Sequence, residues 1–220
     1  MSAFLGPIHH WLFNKIKLHE DLERELLFRF EKEFGSTIQS IAEETIQSHG
    51  APLEERPLDQ LIDLGNIHGW LQNRIAIAET RQADLLTRIF KAYGDKALSM
   101  ALEAYEEQGK ESGLDAQAKG QTQSAPALYK ALNNYLLDGM PCDNANSVIT
   151  AEPDFLQWKT MECLHKAYWE KVGADTQSFY KLRHHWIKAF IEKGNSDFQY
   201  SCTSETIKGQ SIYIHEIKLK

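Results

Sequence analysis

The chain has 220 residues, a net charge of −7, 42% hydrophobic and 25% charged side chains. Those values describe a globular protein long enough for one large domain or two small ones. No apolar run approaches the ~20 residues of a membrane span, and an acidic surface without a compensating basic stripe argues against nucleic acid as a partner.

The first stretch, "MSAFLGPIHHWLF" (1–13), has neither a basic head nor a small-residue cleavage site, so no signal peptide is expected. Three cysteines, an odd number, suit a reducing compartment. The expected location is cytoplasmic.

"GPIHHWLFNKI" (6–16) returns as "GNIHGWLQNRI" (65–75). Aligned without a gap, 5–50 and 64–109 share 18 residues in 46 positions, where chance gives about three. This is an internal duplication. The shared apolar residues fall three and four apart from Ile8 to Leu27, the period of a helix. Gly35 and Gly94 suit its C-terminal cap, and Ser36 or Asp95 can start a second, shorter helix. Each copy is therefore a helical hairpin. Neither can bury its apolar stripe alone, so two hairpins should form a four-helix assembly about an approximate two-fold axis. "HGAPLEERP" (49–57) is the joint between them.

On the helical wheel His9 and Glu20 share one edge of the stripe, about 16 Å apart along the axis. With the first and third helices antiparallel, His9 meets Glu79 and His68 meets Glu20. These four residues are the candidate metal ligands, for iron or zinc, and His9, His68, Trp11 and Trp70 are candidate contacts for a haem or another cofactor. The competing reading makes the histidines structural hydrogen-bond partners and the tryptophans core. The Glu-x-x-His pattern of ferritin-like di-metal bundles is missing.

A polar, glycine-rich stretch, 113–126, reads as a linker or exposed loop between the bundle (1–112) and an α+β C-terminal segment (127–220). In that segment 127–139 reads as a helix, 140–153 as a loop, and 154–173 and 175–194 as helices. Alternation on both sides of "TIKGQ" then predicts a C-terminal β-hairpin over 197–219. The fold class is mainly α with an α+β tail.

Cys163, His165, the helix end "EKVG", a second helix and "FQYSCTSETIKGQSIYIHEIKL" together resemble the C-terminal part of L-2-amino-thiazoline-4-carboxylic acid hydrolase-like proteins. The likeness covers about 160–219. It implies hydrolysis of a small substrate with a C–N-containing ring. That family usually carries a cysteine in the last strand where this chain has Tyr213 or His215, and no catalytic residue is carried over.

The cysteines form no C-x-x-C pair. Cys142 and Cys163 are the thiol candidates, with His165, His184 and His185 as possible bases, because a nucleophilic thiol needs a base or a positive field within reach. Three classes of function follow. One is a protein that binds a ligand, metal or haem between the repeats or between bundle and tail. Another is a thiol- or metal-dependent hydrolase of small molecules. The last is an interaction protein with structural histidines only. The expected partner is a small molecule or a metal ion, with a homo-oligomer left open.

Overall fold

The computed structural model describes residues 5–140, 143, 145–160, 163–207 and 210–220. The chain divides into two units, Met1–Ala101 with His165–Phe179, and Leu102–Leu164 with Tyr180–Lys220.

In the first unit α1 (Pro7–Phe34) begins where Pro7 supplies a preset φ and Gly6 N–H donates to His9 Nδ1 at 3.0 Å. Its buried apolar residues are Leu12, Phe13, Ile16, Leu22, Leu26 and Phe30, whereas Ile8, expected at the start of the stripe, is exposed. α2 (Thr37–His49) follows Gly35, at φ 83° and ψ −166°. After a single-turn α3 (Leu58–Leu61), α4 (Ile67–Ala118) is broken at Gly94, at φ 60° and ψ −142°. That backbone region is essentially reserved for glycine. The two repeats therefore turn at equivalent glycines, as a duplication requires. Their second helices differ in length, because α2 stops at His49 whereas α4 continues to Ala118.

The direction of the two-fold axis corrects the sequence expectation. His9 faces His68, and Phe34 stacks on Tyr93 with ring centroids 4.0 Å apart. A residue near each end of α1 thus meets its own copy, so α1 and the first part of α4 run parallel, with the axis along them. Duplication fixes which residues are equivalent but not the axis that relates them. α2 runs back along α4: His49 bonds Asp84 at 2.9 Å, and Glu44 bonds Arg88 at 2.7 Å.

An ionic layer crosses this bundle. Arg81 is fully buried and donates to Glu23 Oε1 at 2.8 Å, Glu20 Oε1 at 3.0 Å and the Gly50 carbonyl at 3.1 Å. Burial pushes the Glu23 carboxyl upward against the opposing pull of Arg81. Glu20 Oε2 also accepts Leu53 N–H, which ties the inter-repeat connection to α1. α6 (Lys166–Lys171) follows His165 and buries Trp169 beside Phe179.

In the second unit an antiparallel sheet has the order β1-β2-β4-β3, built from β1 (Asn146–Glu152), β2 (Phe155–Thr160), β3 (Phe198–Ile207) and β4 (Gln210–Leu219). The C-terminal hairpin is where the alternation placed it. Residues 155–160, part of the helix expected over 154–173, are strand. The apolar residues at 155, 158, 161 and 164 also fit a three-residue period, but the deeply buried pair, Leu156 and Trp158, lies two apart on one sheet face. Its partner β1 occupies part of the expected loop 140–153.

α5 (Ala125–Leu132) is capped by the Ser124 hydroxyl, which accepts from Ala127 N–H. α7 (Thr176–Gly194) belongs to this unit from Tyr180 onward. Leu128, Trp158, Trp186, Phe190, Phe198, Tyr200 and Ile217 are among the residues that share its core. The stretch expected as a linker, 113–126, is helical to Ala118. Gly109 and Gly113 let α4 approach α7: a Cβ at Gly113 would lie 2.4 Å from the Phe190 carbonyl oxygen, and one at Gly109 2.5 Å from that of Trp186. They serve close backbone packing rather than flexibility.

Candidate metal centre

The covered face of the sheet carries Leu156, Trp158 and Thr160 on β2, Tyr213, His215 and Ile217 on β4, and Phe198, Tyr200 and Cys202 on β3. In the β-ladder Trp158, His215 and Cys202 stand in one row. The His215 ring stacks on Trp158 at 4.7 Å between centroids, with 8° between planes. His184, one helical turn after Tyr180, comes from α7 and places Nε2 3.5 Å from Cys202 Sγ.

One ligand atom from each of His184, Cys202 and His215 lies within 4.8 Å of the others, and no other such group of three occurs among the described residues. The 3.5 Å edge suits a tetrahedral ion: zinc bonds of about 2.3 Å to sulfur and 2.1 Å to nitrogen put those ligands roughly 3.6 Å apart. The cluster can coordinate a metal ion.

The hydrogen-bond network orients His215. Thr160 Oγ1 donates to Asn146 Oδ1 at 2.7 Å, so it accepts from His215 Nε2–H at 3.2 Å. The lone pair of the neutral ring then lies at Nδ1, where the Tyr200 hydroxyl donates at 2.8 Å. Tyr200 also hydrogen-bonds Cys202. Its hydroxyl thus meets two of the three residues, His215 and Cys202.

Burial sets the protonation of the group. It lowers His184 to about 4, helped by the charge of Arg183. It lowers His215 to about 3, with His184 and Arg183 acting in the same sense and Asp138 opposing. Burial raises the Cys202 thiol to about 11 against the pull of Tyr200 and Arg183. Arg183 is itself held by an ion pair with Asp138. Beside the cluster, the rings of Tyr180 and Tyr213 lie 4.4 Å apart, and Tyr180 hydrogen-bonds Cys163.

His9 Nε2 lies 3.4 Å from His68 Nε2, on the exposed side of the bundle. His9 Nδ1 accepts the Gly6 N–H, so the proton of its neutral ring sits on Nε2 and can be donated to His68. Glu20 is engaged by Arg81 and Leu53, and Glu79 by His165 at 2.8 Å, instead of the expected cross-repeat histidines. The parallel packing explains the change, because it sets His9 beside His68 and leaves the glutamates about three turns further along. Lys15 Nζ stands 4.0 Å over the Trp11 ring, and Trp70 lies 6.5 Å from Phe13.

Cys142 lies outside the described residues. Cys163 and Cys202 are free thiols. Of the three histidines proposed as bases, His184 meets a thiol, that of Cys202. His165 serves Glu79 and stacks on Trp169. His185 lies near Glu106.

Cys202 and His215 were not singled out as partners. A countable signal exists for them: Ile207 pairs with Gln210, so five residues outward on each strand set Cys202 opposite His215. No family model, curated protein or solved structure matches the chain. Among the described residues no helix is long and apolar enough to cross a membrane.

Proposed function

We propose that the second unit is a metal-dependent hydrolase of small C–N-containing substrates, with His184, Cys202 and His215 as ligands of a zinc-class ion. The observation that carries this reading is the convergence of two imidazoles and a thiol on a packed sheet face. That donor set suits zinc, and three protein ligands leave a tetrahedral position open, as in catalytic zinc sites. A bound ion there supplies a Lewis acid and a water of lowered pKa.

The chain's own residues do the positioning. Trp158 fixes the His215 ring by stacking, and the Tyr200 hydroxyl donates to its Nδ1, the nitrogen that would hold an ion. The rings of Tyr180 and Tyr213 pack beside His184. A metal-free thiol route through Cys202 is disfavoured, because a thiol at about 11 is roughly one part in ten thousand thiolate at neutral pH. The likeness of 160–219 to the thiazoline-carboxylate hydrolase-like proteins favours the same reaction class.

The test uses protein purified without a histidine tag. Metal analysis should find about one zinc-class ion per chain, and cobalt substitution should give a thiolate-to-cobalt charge-transfer band that Cys202→Ser abolishes. Hydrolysis of small cyclic amides and amidines should vanish on chelation and return with metal. Protein that takes up no ion and shows no such band would overturn the metal centre. A metal-loaded protein inert on the whole substrate panel would overturn the hydrolase assignment.

A further inference from the structure

A second site lies wholly in the first unit. A cavity of about 790 Å³ opens between α1 and the inter-repeat connection, from Pro52 to Asp59. Phe13, Leu27, Pro52 and Leu58 give it apolar walls, and among its lining residues carboxylates outnumber lysine and arginine two to one. Most of the acids at its rim are already matched: Arg24 pairs with Asp21 and Glu55, and Arg56 with Glu54.

Glu23 is different. It lines the cavity yet is only 4% exposed, and one of its carboxylate oxygens, Oε1, is taken by Arg81. The other, Oε2, is buried with no hydrogen-bond partner. An ionised carboxylate oxygen has only acceptor capacity, and leaving it buried and unmatched is costly. Neighbouring Glu20 cannot relieve it, since both Glu20 oxygens already accept, from Arg81 and from Leu53 N–H. The missing partner is a donor, preferably a charged one.

We infer that this cavity binds a primary ammonium ligand with a short aliphatic body, its head group donating to Glu23 Oε2 and its chain lying against Leu27 and Pro52. The ammonium supplies the donor that Oε2 lacks, and the chain covers Leu27 and Pro52, the accessible part of the apolar wall. A guanidinium or a bare metal ion fits less well. The first presents a planar fork to a single free oxygen, and the second needs more oxygen ligands than this one provides.

The probe is n-butylammonium, with n-butanol as the uncharged match, titrated into the full chain. Binding is expected at about millimolar strength for so small a ligand. The side-chain carboxyl carbon of Glu23 should shift saturably in the NMR spectrum, and butanol should bind about tenfold more weakly or worse. Glu23→Gln should weaken butylammonium about tenfold while leaving butanol unchanged. If that variant does not fold, Leu27→Trp, at a partly exposed wall position, fills the cavity instead and should abolish both shifts. Equal binding of amine and alcohol, no saturable shift at Glu23, or full binding by Leu27→Trp would each overturn the site. Because the metal centre is elsewhere, its cobalt band should be indifferent to butylammonium, so the two proposals fail separately.

Discussion

Proton linkage offers the sharpest test of the metal centre. His184 and His215 are held near 4 and 3, so above about pH 5 both rings are already neutral and release nothing when an ion binds. Cys202, near 11, still carries its proton throughout the neutral range and must lose it to become a ligand. Cys202 is therefore the one ligand that exchanges a proton, and log Kd for zinc or cobalt should fall by about one per pH unit between roughly pH 5.5 and 8.5. Over that span the affinity rises about a thousandfold, worth about 4 kcal/mol. The sign follows from the thiol, since raising the pH removes the proton that competes with the metal. The assay is a cobalt titration read by the charge-transfer band at several pH values, with Cys202→Ser as control. A slope of two or three between pH 5.5 and 7 would mean that the histidines titrate as exposed imidazoles. A flat profile would mean that Cys202 is not a ligand. Either result refutes the reasoning. In the metal-free protein the same two depressed histidines shift stability in the same direction, toward higher pH. Their contribution is complete above the ordinary value of 6.5 and is lost as pH falls toward 4 and 3, because the unfolded chain binds the protons first.

Other perturbations test separate parts of the structure. Tyr200→Phe removes the hydroxyl that competes for His215 Nδ1 and should tighten zinc binding about five- to tenfold, the worth of one hydrogen bond; weaker binding in a competitive chelator assay would make Tyr200 a ligand instead. Arg81→Met leaves Glu20 and Glu23 buried without their shared cation and should cost about 3–5 kcal/mol in urea unfolding. Adding Glu20→Gln and Glu23→Gln should recover much of that loss, and a silent Arg81→Met would refute the ionic layer. Gly113→Ala forces a Cβ against the Phe190 backbone and should cost about 1–3 kcal/mol, whereas a flexible linker would tolerate it without change.

The duplication, the turn glycines and the apolar stripes were legible in the sequence because each depends on local chemistry. A helix buries one face at a period near 3.6 residues, and only glycine enters the backbone region seen at Gly35 and Gly94. The C-terminal hairpin was legible for the same reason, through its alternation. The strand at 155–160 was not, because its apolar residues satisfy two periods at once and the neighbouring strand decides between them. Gly109 and Gly113 show the same ambiguity: one residue type serves a flexible loop or a tight helix crossing, and the choice lies in what packs above it.

That two copies of a helical hairpin exist, with equivalent histidines and glutamates, follows from the order of residues alone. Long-range packing lays the copies parallel, which sets His9 beside His68 and gives Glu20 to Arg81 and Glu79 to His165. Likewise His184 was visible as a histidine on a helix and Cys202 as a cysteine in a strand. Their meeting with His215 depends on strand register and on the helix laid across the sheet. A side chain's own chemistry is written at its position, but the company it keeps is fixed by contacts between residues far apart in the chain.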